Sequence, residues 1–325
     1  MGHKNIWTLI VKLLLVSVPV AALAAAFLLD AESPTSLQKK GFENKVQQLV
    51  TPTSPHVIIA GESRAMYNVI PEIFSGKTGL SSVNIATGYE TLDQVYDELS
   101  KNQDLNRHRL IVVSISSYEI NDAVYDNHAD YVDLIQQEPL GMRKLNFMRI
   151  YLENQALFYF DHFKKFVRRE SRDRGALASA TLQKKGYVEN PGVFLSPPAD
   201  AVPQREVWYA DVETGGLKEK NFTRAIENFG TLNDTVVLYM GPVAPGWWHP
   251  LERTNAPKVE EHFRDVIKKA AAPFRNIHVI DFHVGENRLE FPDGYFSDSV
   301  HLNNAGAPIF TELLVQELRK EKTIK

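Results

Sequence analysis

The sequence contains no cysteine. This absence excludes disulfide bonds, thiolate metal sites and cysteine nucleophiles, and it leaves the redox compartment open. An excess of positive charge is also missing, because the net charge is −4 and the isoelectric point is near 6.2. There is therefore no overall basic bias toward nucleic acid as a partner. Internal repeats and low-complexity stretches are absent as well.

Charge is absent from one long N-terminal run. Residues 13–29, LLLVSVPVAALAAAFLL, are uncharged, and their number lies at the short end of the ~17–25 residues that a membrane helix needs. Two lysines precede the run and two acidic residues follow it, which places the N-terminus in the cytoplasm and the rest outside. A signal peptide cleaved after ALA at 22–24 is the alternative. We prefer the uncleaved anchor, because cleavage there would leave the apolar sequence AAFLL at the new terminus.

The chain divides into three predicted parts. Residues 1–30 form a cytoplasmic tail and a single transmembrane anchor in the inner or cytoplasmic membrane. Residues 31–55 are polar with scattered prolines and form a juxtamembrane stem with a short helix. Residues 56–325 form the folded part, which is expected to be periplasmic or extracellular. A chain with 44% hydrophobic residues has enough apolar material for one large core or for one domain with an insertion.

Five short, apolar, β-branched runs in the third part alternate with helical patterns. Such runs are typical of strands buried on both faces of a parallel sheet. The predicted strands are residues 56–60, 81–86, 109–115, 235–240 and 277–282. Apolar residues at helical spacing predict helices over residues 91–102, 258–274 and 305–320. The alternation predicts an α/β fold, a three-layer sandwich around a five-stranded, mainly parallel sheet.

Residues 123–220 interrupt this alternation and are too long for a crossover between the third and fourth strands. They begin with an aromatic and basic helical pattern, residues 143–175, and continue into a loop rich in proline and glycine. We interpret the stretch as a mainly helical insertion over one end of the sheet. Its basic part, residues 143–174, is either a solvated helix face or a contact surface for the membrane or a membrane partner.

Residues able to do chemistry follow four of the predicted strands. Ser63 follows the first strand, Gly88 the second, SISSYEIND at 114–122 the third, and Asp298 with His301 the fifth. Because ligands of open parallel sheets bind beyond the carboxyl ends of the strands, we expect these residues to meet at one edge.

The residue types at this edge suit nucleophilic catalysis. A serine hydroxyl becomes a good nucleophile when an imidazole takes its proton, and the imidazole needs an acceptor on its other nitrogen. Ser63, His301 and Asp298 can supply these roles, and the backbone N–H groups of Ser63 and Gly88 are candidate oxyanion donors. In the alternative interpretation Ser63 caps a helix, Gly88 supplies a turn with positive φ, and the Asp298–His301 pair lies on a surface turn.

Three short blocks resemble a known family at this point. GES at 61–63 resembles the GDS block of the SGNH (GDSL-like) hydrolase superfamily, with Glu62 in place of the usual aspartate. Gly88 stands where the glycine of the second block would be, and DSVH at 298–301 matches the DxxH block. The similarity covers two stretches in family order, about residues 56–122 and 235–320.

The resemblance implies an SGNH-like fold and serine esterase or acyltransferase chemistry. It makes Ser63 the nucleophile, His301 the base and Asp298 the acid that orients the base. It implies no metal and no organic cofactor, and no spacing of histidine and acidic residues in the sequence suggests a metal site.

The third block departs from the family pattern. When RLIVVSISSYEI is aligned on the family's strand and GxND block, Ser116 falls at the glycine, Tyr118 at the asparagine and Glu119 at the aspartate. The family's oxyanion asparagine is therefore missing. Asn121 is the nearby candidate to replace it.

The altered third block, the predicted anchor and the sequence GESRA are similar to one branch of the superfamily. That branch contains anchored or exported SGNH-like proteins of cell-surface polymer acylation, such as the alginate O-acetyltransferases and the teichoic-acid D-alanylation protein. They work beside a multipass membrane O-acyltransferase. The resemblance implies transfer or hydrolysis of acyl esters, acetyl above all, on a cell-surface or exported polysaccharide. A non-catalytic scaffold or accessory subunit of a membrane O-acyltransferase or polymer-export complex is the alternative.

Four side chains are candidates for substrate binding. Arg64 either binds an anionic group such as a uronate or pairs with a neighbouring glutamate, and Tyr118 replaces the missing asparagine near the site. Trp247 and Trp248, in PVAPGWWHP after the fourth strand, form a flat platform for sugar rings or else pack in the interior.

Overall fold

The structure is a computed structural model, and the residues it describes are 42–88, 90–101, 107–122, 141–142, 144–145, 148–149, 184–194, 215–283 and 291–324. The chain divides into two compact units, residues 1–39 with 128–173 and residues 40–127 with 174–325. In the first unit, the described side chains of Met142, Leu145 and Met148 are exposed. The second unit contains the sheet, and we call it the sheet domain.

The predicted membrane run, residues 13–29, lies outside the described residues. Within the part of the chain that the structure describes, none of the helices combines the length and the hydrophobicity that a membrane crossing requires.

All five predicted strands are confirmed. They are β1 Val57–Gly61, β2 Ser82–Asn84, β3 Leu110–Ser114, β4 Thr235–Met240 and β5 Ile277–Asp281. Their order in the sheet is β2-β1-β3-β4-β5, and every neighbouring pair is parallel. The chain runs to one side of β1 to form β2 and then returns to form β3 on the other side. The crevice beyond the carboxyl ends of β1 and β3 is therefore the place where such a sheet binds ligands.

Helices cover both faces of the sheet. They are α1 Ser63–Asn68, α2 Pro71–Thr78, α3 Leu92–Lys101, α4 Leu217–Gly230, α5 Pro245–Leu251, α6 Ala256–Ala271 and α7 Gly306–Lys320. Val57 and Ile59 of β1 pack with α1, α2, α5 and α7, whereas Ile58 and Ala60 pack with α3, α4 and α6. This alternation explains why β1 is apolar throughout, since both of its faces are buried.

The segment before β1 packs against the sheet domain. Residues 42–53, which we call the entry segment, include the helical turns Val46–Val50 and Thr51–Thr53. Phe42, Val46 and Val50 are buried in the core on the side of α3, α4 and α6. The described half of the predicted stem is therefore part of the packed domain.

The predicted insertion, residues 123–220, lies largely outside the described residues, but Asp122, directly before it, and residues 215–220, at its end, are described. Asp122 accepts hydrogen bonds from the N–H groups of Leu217 (3.0 Å) and Lys218 (2.9 Å) at the start of α4. One carboxylate thus joins the residue before the stretch to the last residues of the stretch. Within the stretch, residues 184–194, which we call the return segment, lie beside β2, where the Asn84 N–H donates to the Lys185 carbonyl at 2.8 Å.

The last residue of β1, Gly61, has to be a glycine. Gly61 has φ of +105°, and a Cβ there would lie 2.5 Å from the carbonyl oxygen of Ser114 on β3. We expect Gly61→Ala to lower the free energy of unfolding by about 2 kcal/mol or more, because positive φ alone costs an alanine ~1–2 kcal/mol and the close contact adds to it. Denaturant unfolding measures the loss.

Gly79→Ala is the matched control for this prediction. Gly79 also has a positive φ, +73°, but a Cβ there would meet nothing within 4 Å. The loss of unfolding free energy in Gly79→Ala should therefore come from backbone strain alone. Equal losses for the two variants would contradict the proposed contact between β1 and β3.

Candidate active site

Ser63 lies at the first position of α1, directly beyond the carboxyl end of β1. Glu62, and not Ser63, is the N-cap residue of this helix, because the Glu62 side chain accepts the Arg64 N–H at 3.2 Å. The alternative that Ser63 serves as the cap is therefore not what the structure shows. The Ser63 side chain is left to interact across the crevice.

His301 reaches Ser63 from the loop before α7. Its Nε2 lies 2.6 Å from Ser63 Oγ, across 238 residues of sequence. Its Nδ1 lies 2.7 Å from Asp298 Oδ2. The structure thus brings the three predicted side chains into one chain of hydrogen bonds, in the order hydroxyl, imidazole, carboxylate.

The Asp298 carboxylate is held by its own turn. Its Oδ1 accepts the N–H groups of Val300 and His301, each at 2.9 Å. Partial burial would raise the pKa of Asp298, but the hydrogen bond and charge of His301, together with these two donors, lower it to about 2. Asp298 is therefore ionised at neutral pH and can orient the imidazole and stabilise its protonated form.

Glu62 connects the nucleophile's helix to β3. Its Oε1 accepts the hydroxyl of Ser114 at 3.0 Å and lies 3.3 Å from Arg64 Nε, while its Oε2 is 3.3 Å from Ser63 Oγ. Arg64 is only 6% exposed. The pairing with a neighbouring glutamate is therefore the arrangement seen for Arg64, which is buried instead of presented to an anionic substrate.

Two backbone N–H groups were predicted as oxyanion donors. Among the described residues no acceptor takes the Ser63 N–H, which lies in the first turn of α1. Gly88 does not have a positive φ, and a Cβ there would meet nothing within 4 Å. Its backbone conformation therefore does not require glycine, and open space lies beside it.

The residues of the third block are buried. Tyr118 is 7% exposed and Asn121 is fully buried, with its N–H donating to the Tyr118 carbonyl at 3.3 Å. Glu119 accepts the N–H of Ser116 at 2.9 Å and that of Leu92 at 2.8 Å. Glu119 therefore joins the loop after β3 to the start of α3 and cannot reach a substrate.

The predicted aromatic platform is wrong. Trp247 and Trp248 are 4% and 3% exposed, and both belong to the core on the α7 side of the sheet. They lie in the first turn of α5, Pro245–Leu251, where burial removes their large apolar rings from water. The alternative interpretation, that both tryptophans pack in the interior, is the correct one.

Two residues on α1 that the sequence did not single out hold the histidine loop. The ring of Tyr67 meets the ring of His301 edge-on, with centroids 5.0 Å apart. The buried Asn68 accepts the N–H of Leu302 at 2.8 Å. Tyr67 stands four residues after Ser63, so helical spacing could have placed it on the same face. Nothing in the sequence marks Asn68.

Comparison with known proteins gives no family assignment. No protein-family model matches the chain, and no curated protein matches it. Among solved structures, a candidate platelet activating factor from Streptococcus pneumoniae is 11% identical, with 93% of this chain and 99% of that chain covered and a TM-score of 0.42.

Two further solved structures are similar to this chain. A candidate acylhydrolase from Bacteroides fragilis is 15% identical, with 90% of this chain and 99% of that chain covered and a TM-score of 0.39. A candidate lipolytic protein of the G-D-S-L family from Desulfitobacterium hafniense is 12% identical, with 80% and 98% covered and a TM-score of 0.32. The function is therefore inferred from the geometry of the site.

Proposed function

We propose that the sheet domain is an SGNH-type serine esterase or acyltransferase, with Ser63 as nucleophile, His301 as base and Asp298 as the acid that orients the base. The observation that carries this proposal is the continuous hydrogen-bond chain, 2.6 Å from Ser63 Oγ to His301 Nε2 and 2.7 Å from His301 Nδ1 to Asp298 Oδ2. Both distances lie within the reach that general-base activation of a serine requires.

The reaction proceeds in two halves. Ser63 Oγ bonds to the acyl carbon while its proton moves to His301 Nε2, and the alkoxide leaving group then departs with that proton. A sugar hydroxyl or water next attacks the acyl group on Ser63 and gives its proton to His301. The bond to Ser63 breaks, and His301 returns the proton to Ser63 Oγ. The products are a new ester or a free acid, and the enzyme is unchanged.

The tetrahedral oxyanion needs donors on the side of the carbonyl oxygen. The N–H groups of Ser63 and Gly88 are the candidates. They are supported by the Ser63 N–H, which no acceptor in the described part of the chain takes, and by the open space beside the Gly88 Cα. Asn121 is the third candidate from the sequence, but its complete burial argues against direct contact with substrate. Each preorganised donor typically contributes ~3 kcal/mol of transition-state stabilisation.

The substrate and the setting of this proposal come from the sequence. We expect an acyl ester, acetyl above all, of a cell-surface or exported polysaccharide, handled outside the membrane by a chain that its N-terminal helix anchors. A multipass membrane O-acyltransferase is the expected partner. Release of acetate and acetylation of polymer, assayed side by side, distinguish hydrolysis from transfer.

A fluorophosphonate probe tests the nucleophile directly. Ser63 Oγ should displace fluoride from phosphorus and give one covalent adduct, which intact-mass measurement detects and peptide mapping assigns to Ser63. Formation of the adduct also needs His301 to take the proton of Ser63, so His301→Ala should react with the probe far more slowly. An adduct that forms equally on Ser63→Ala would overturn the assignment.

A non-catalytic scaffold is the second candidate function. The observation that favours it is the third block, where the family's asparagine is replaced by the buried Tyr118 and where Glu119 is committed to backbone contacts. In this case the probe leaves the wild-type protein unlabelled, and Ser63→Ala restores polymer acylation in a deletion strain as well as the wild type does.

A further inference from the structure

The entry segment contributes a partly buried lysine, Lys45, to the region of Gly88. Lys45 Nζ donates to the carbonyl of Ala86 at 2.5 Å and lies 3.3 Å from the carbonyl of Gly186. An ammonium group that loses part of its hydration needs hydrogen-bond partners in the protein, because removing it from water is costly. The position of Lys45 therefore depends on these carbonyls and on the charge of the nearby Glu90.

The first acceptor belongs to the loop between β2 and α3, residues 85–91, which we call the Gly88 loop. Ala86 precedes Gly88 by two residues. On the side of the nucleophile, the Thr87 N–H donates to the Gly61 carbonyl at 3.2 Å. Inside the loop, the Thr87 hydroxyl donates to Glu90 at 3.3 Å. Lys45 is therefore one of the groups that hold the Gly88 loop beside the end of β1.

The second acceptor belongs to the return segment. Gly186 has φ of +95°, and a Cβ there would lie 1.7 Å from the Asn84 carbonyl oxygen at the end of β2. The backbone of the return segment therefore lies against the last residue of β2, directly before the Gly88 loop begins. One ammonium group fastens three stretches of chain that are far apart in sequence.

We propose that Lys45 is a positioning residue that holds the Gly88 loop in register with Ser63 and couples that loop to the entry segment. The inference rests on the proposed function, in which the Gly88 N–H binds the acyl oxygen. It goes further, because the rate of the reaction would then depend on Lys45, a residue before β1. Lys45 lies on the entry segment, which follows the predicted membrane anchor in sequence.

The charges around Lys45 make the position of the Gly88 loop depend on pH. Burial lowers the pKa of Lys45 to about 8, and the carboxyl of Glu90 opposes that shift. Burial also raises the pKa of Glu90, and the carboxyls of Glu98 and Glu119 add to this. As the pH rises through about 8, the ammonium group becomes an amine, its hydrogen bonds weaken, and the loop loosens.

The test compares full-length Lys45→Met and Lys45→Arg with Lys269→Met, an exposed lysine on α6 that serves as the control. Turnover of p-nitrophenyl acetate gives kcat and KM from pH 6 to pH 10. We expect kcat of Lys45→Met to fall about tenfold with little change in KM, because a misplaced donor weakens the transition state more than the bound ester. The wild type should lose activity above pH ~8, and Lys45→Arg should lack that loss because guanidinium stays charged.

Hydrogen exchange separates this inference from the proposed function. The peptide that spans the Gly88 loop should exchange faster in Lys45→Met than in the wild type or Lys269→Met, whether or not the protein turns over an ester. Unchanged exchange there overturns the coupling. An unreactive wild type with the expected exchange pattern overturns the proposed function instead.

A second variant keeps the test decisive if Lys45→Met does not fold. Glu90→Gln removes the charge that raises the pKa of Lys45. The loss of activity and the faster loop exchange should therefore begin at a lower pH than in the wild type. A loop whose exchange, corrected for the intrinsic rate, is the same on both sides of pH ~8 in the wild type and in Glu90→Gln contradicts the proposal.

Discussion

Replacing Ser63 with alanine is expected to lower kcat for p-nitrophenyl acetate by about 10⁴-fold or more, the scale of loss when the nucleophile of a serine triad is removed. The reason is that His301 Nε2, 2.6 Å from Ser63 Oγ, would then have no hydroxyl to deprotonate. KM should change little, because a single hydroxyl contributes little to the binding of the ground-state ester.

The fold of this variant should be intact. Glu62 keeps its hydrogen bonds to the Arg64 N–H and the Ser114 hydroxyl when the Ser63 side chain is shortened. Circular dichroism and thermal unfolding of Ser63→Ala should therefore match the wild type. Ser100→Ala, at an exposed serine on α3, controls for the loss of a hydroxyl elsewhere. If Ser63→Ala retains a tenth or more of wild-type kcat, Ser63 is not the nucleophile.

The fold was predictable because the strands are buried on both faces. A strand such as β1, Val57–Gly61, must be apolar at every position, so its sequence identifies it without any alternation. The helix over Leu92–Lys101 was predictable because one of its faces is apolar and the other charged. By contrast, α4 begins at Leu217 beside Asp122, a pairing that depends on contacts remote in sequence.

The site was predictable to the extent that its parts are local. Asp298 and His301 are three residues apart, and one turn holds their hydrogen bond through the Asp298 side chain and the His301 N–H. The proximity of His301 to Ser63 followed from the topology, since both lie beyond carboxyl ends of parallel strands.

Contacts that depend on tertiary packing could not be predicted from the sequence. Lys45 stands in a polar stretch with no pattern that relates it to Ala86, 41 residues later. The tandem Trp247–Trp248 suits an exposed platform or a core equally well, and only the packing of α5 decides between them. The part of the predicted insertion outside the described residues stays a prediction.

Asp298→Asn should lower kcat by about 10³–10⁴-fold while keeping the fold, because the loss of the orienting carboxylate in a serine triad leaves the imidazole in the wrong tautomer. The asparagine carbonyl can still accept the N–H groups of Val300 and His301, which Asp298 Oδ1 accepts at 2.9 Å. The amide nitrogen would then face His301 Nδ1 as a donor. The proton on the ring would move to Nε2, which could no longer take the proton of Ser63.

Stability against pH provides an independent measure of the same carboxylate. Because the pKa of Asp298 is lowered from 3.8 to about 2 in the folded protein, its contribution is complete above pH 3.8 and is lost as the pH falls toward 2. The contribution is modest, since the side chain is 49% exposed. Asp298→Asn should lack this part of the loss of folding stability in acid. Near neutral pH, its melting temperature should match that of the wild type to within a few degrees. A variant that keeps wild-type kcat would show that the tautomer of His301 does not depend on Asp298, and the triad would have to be abandoned.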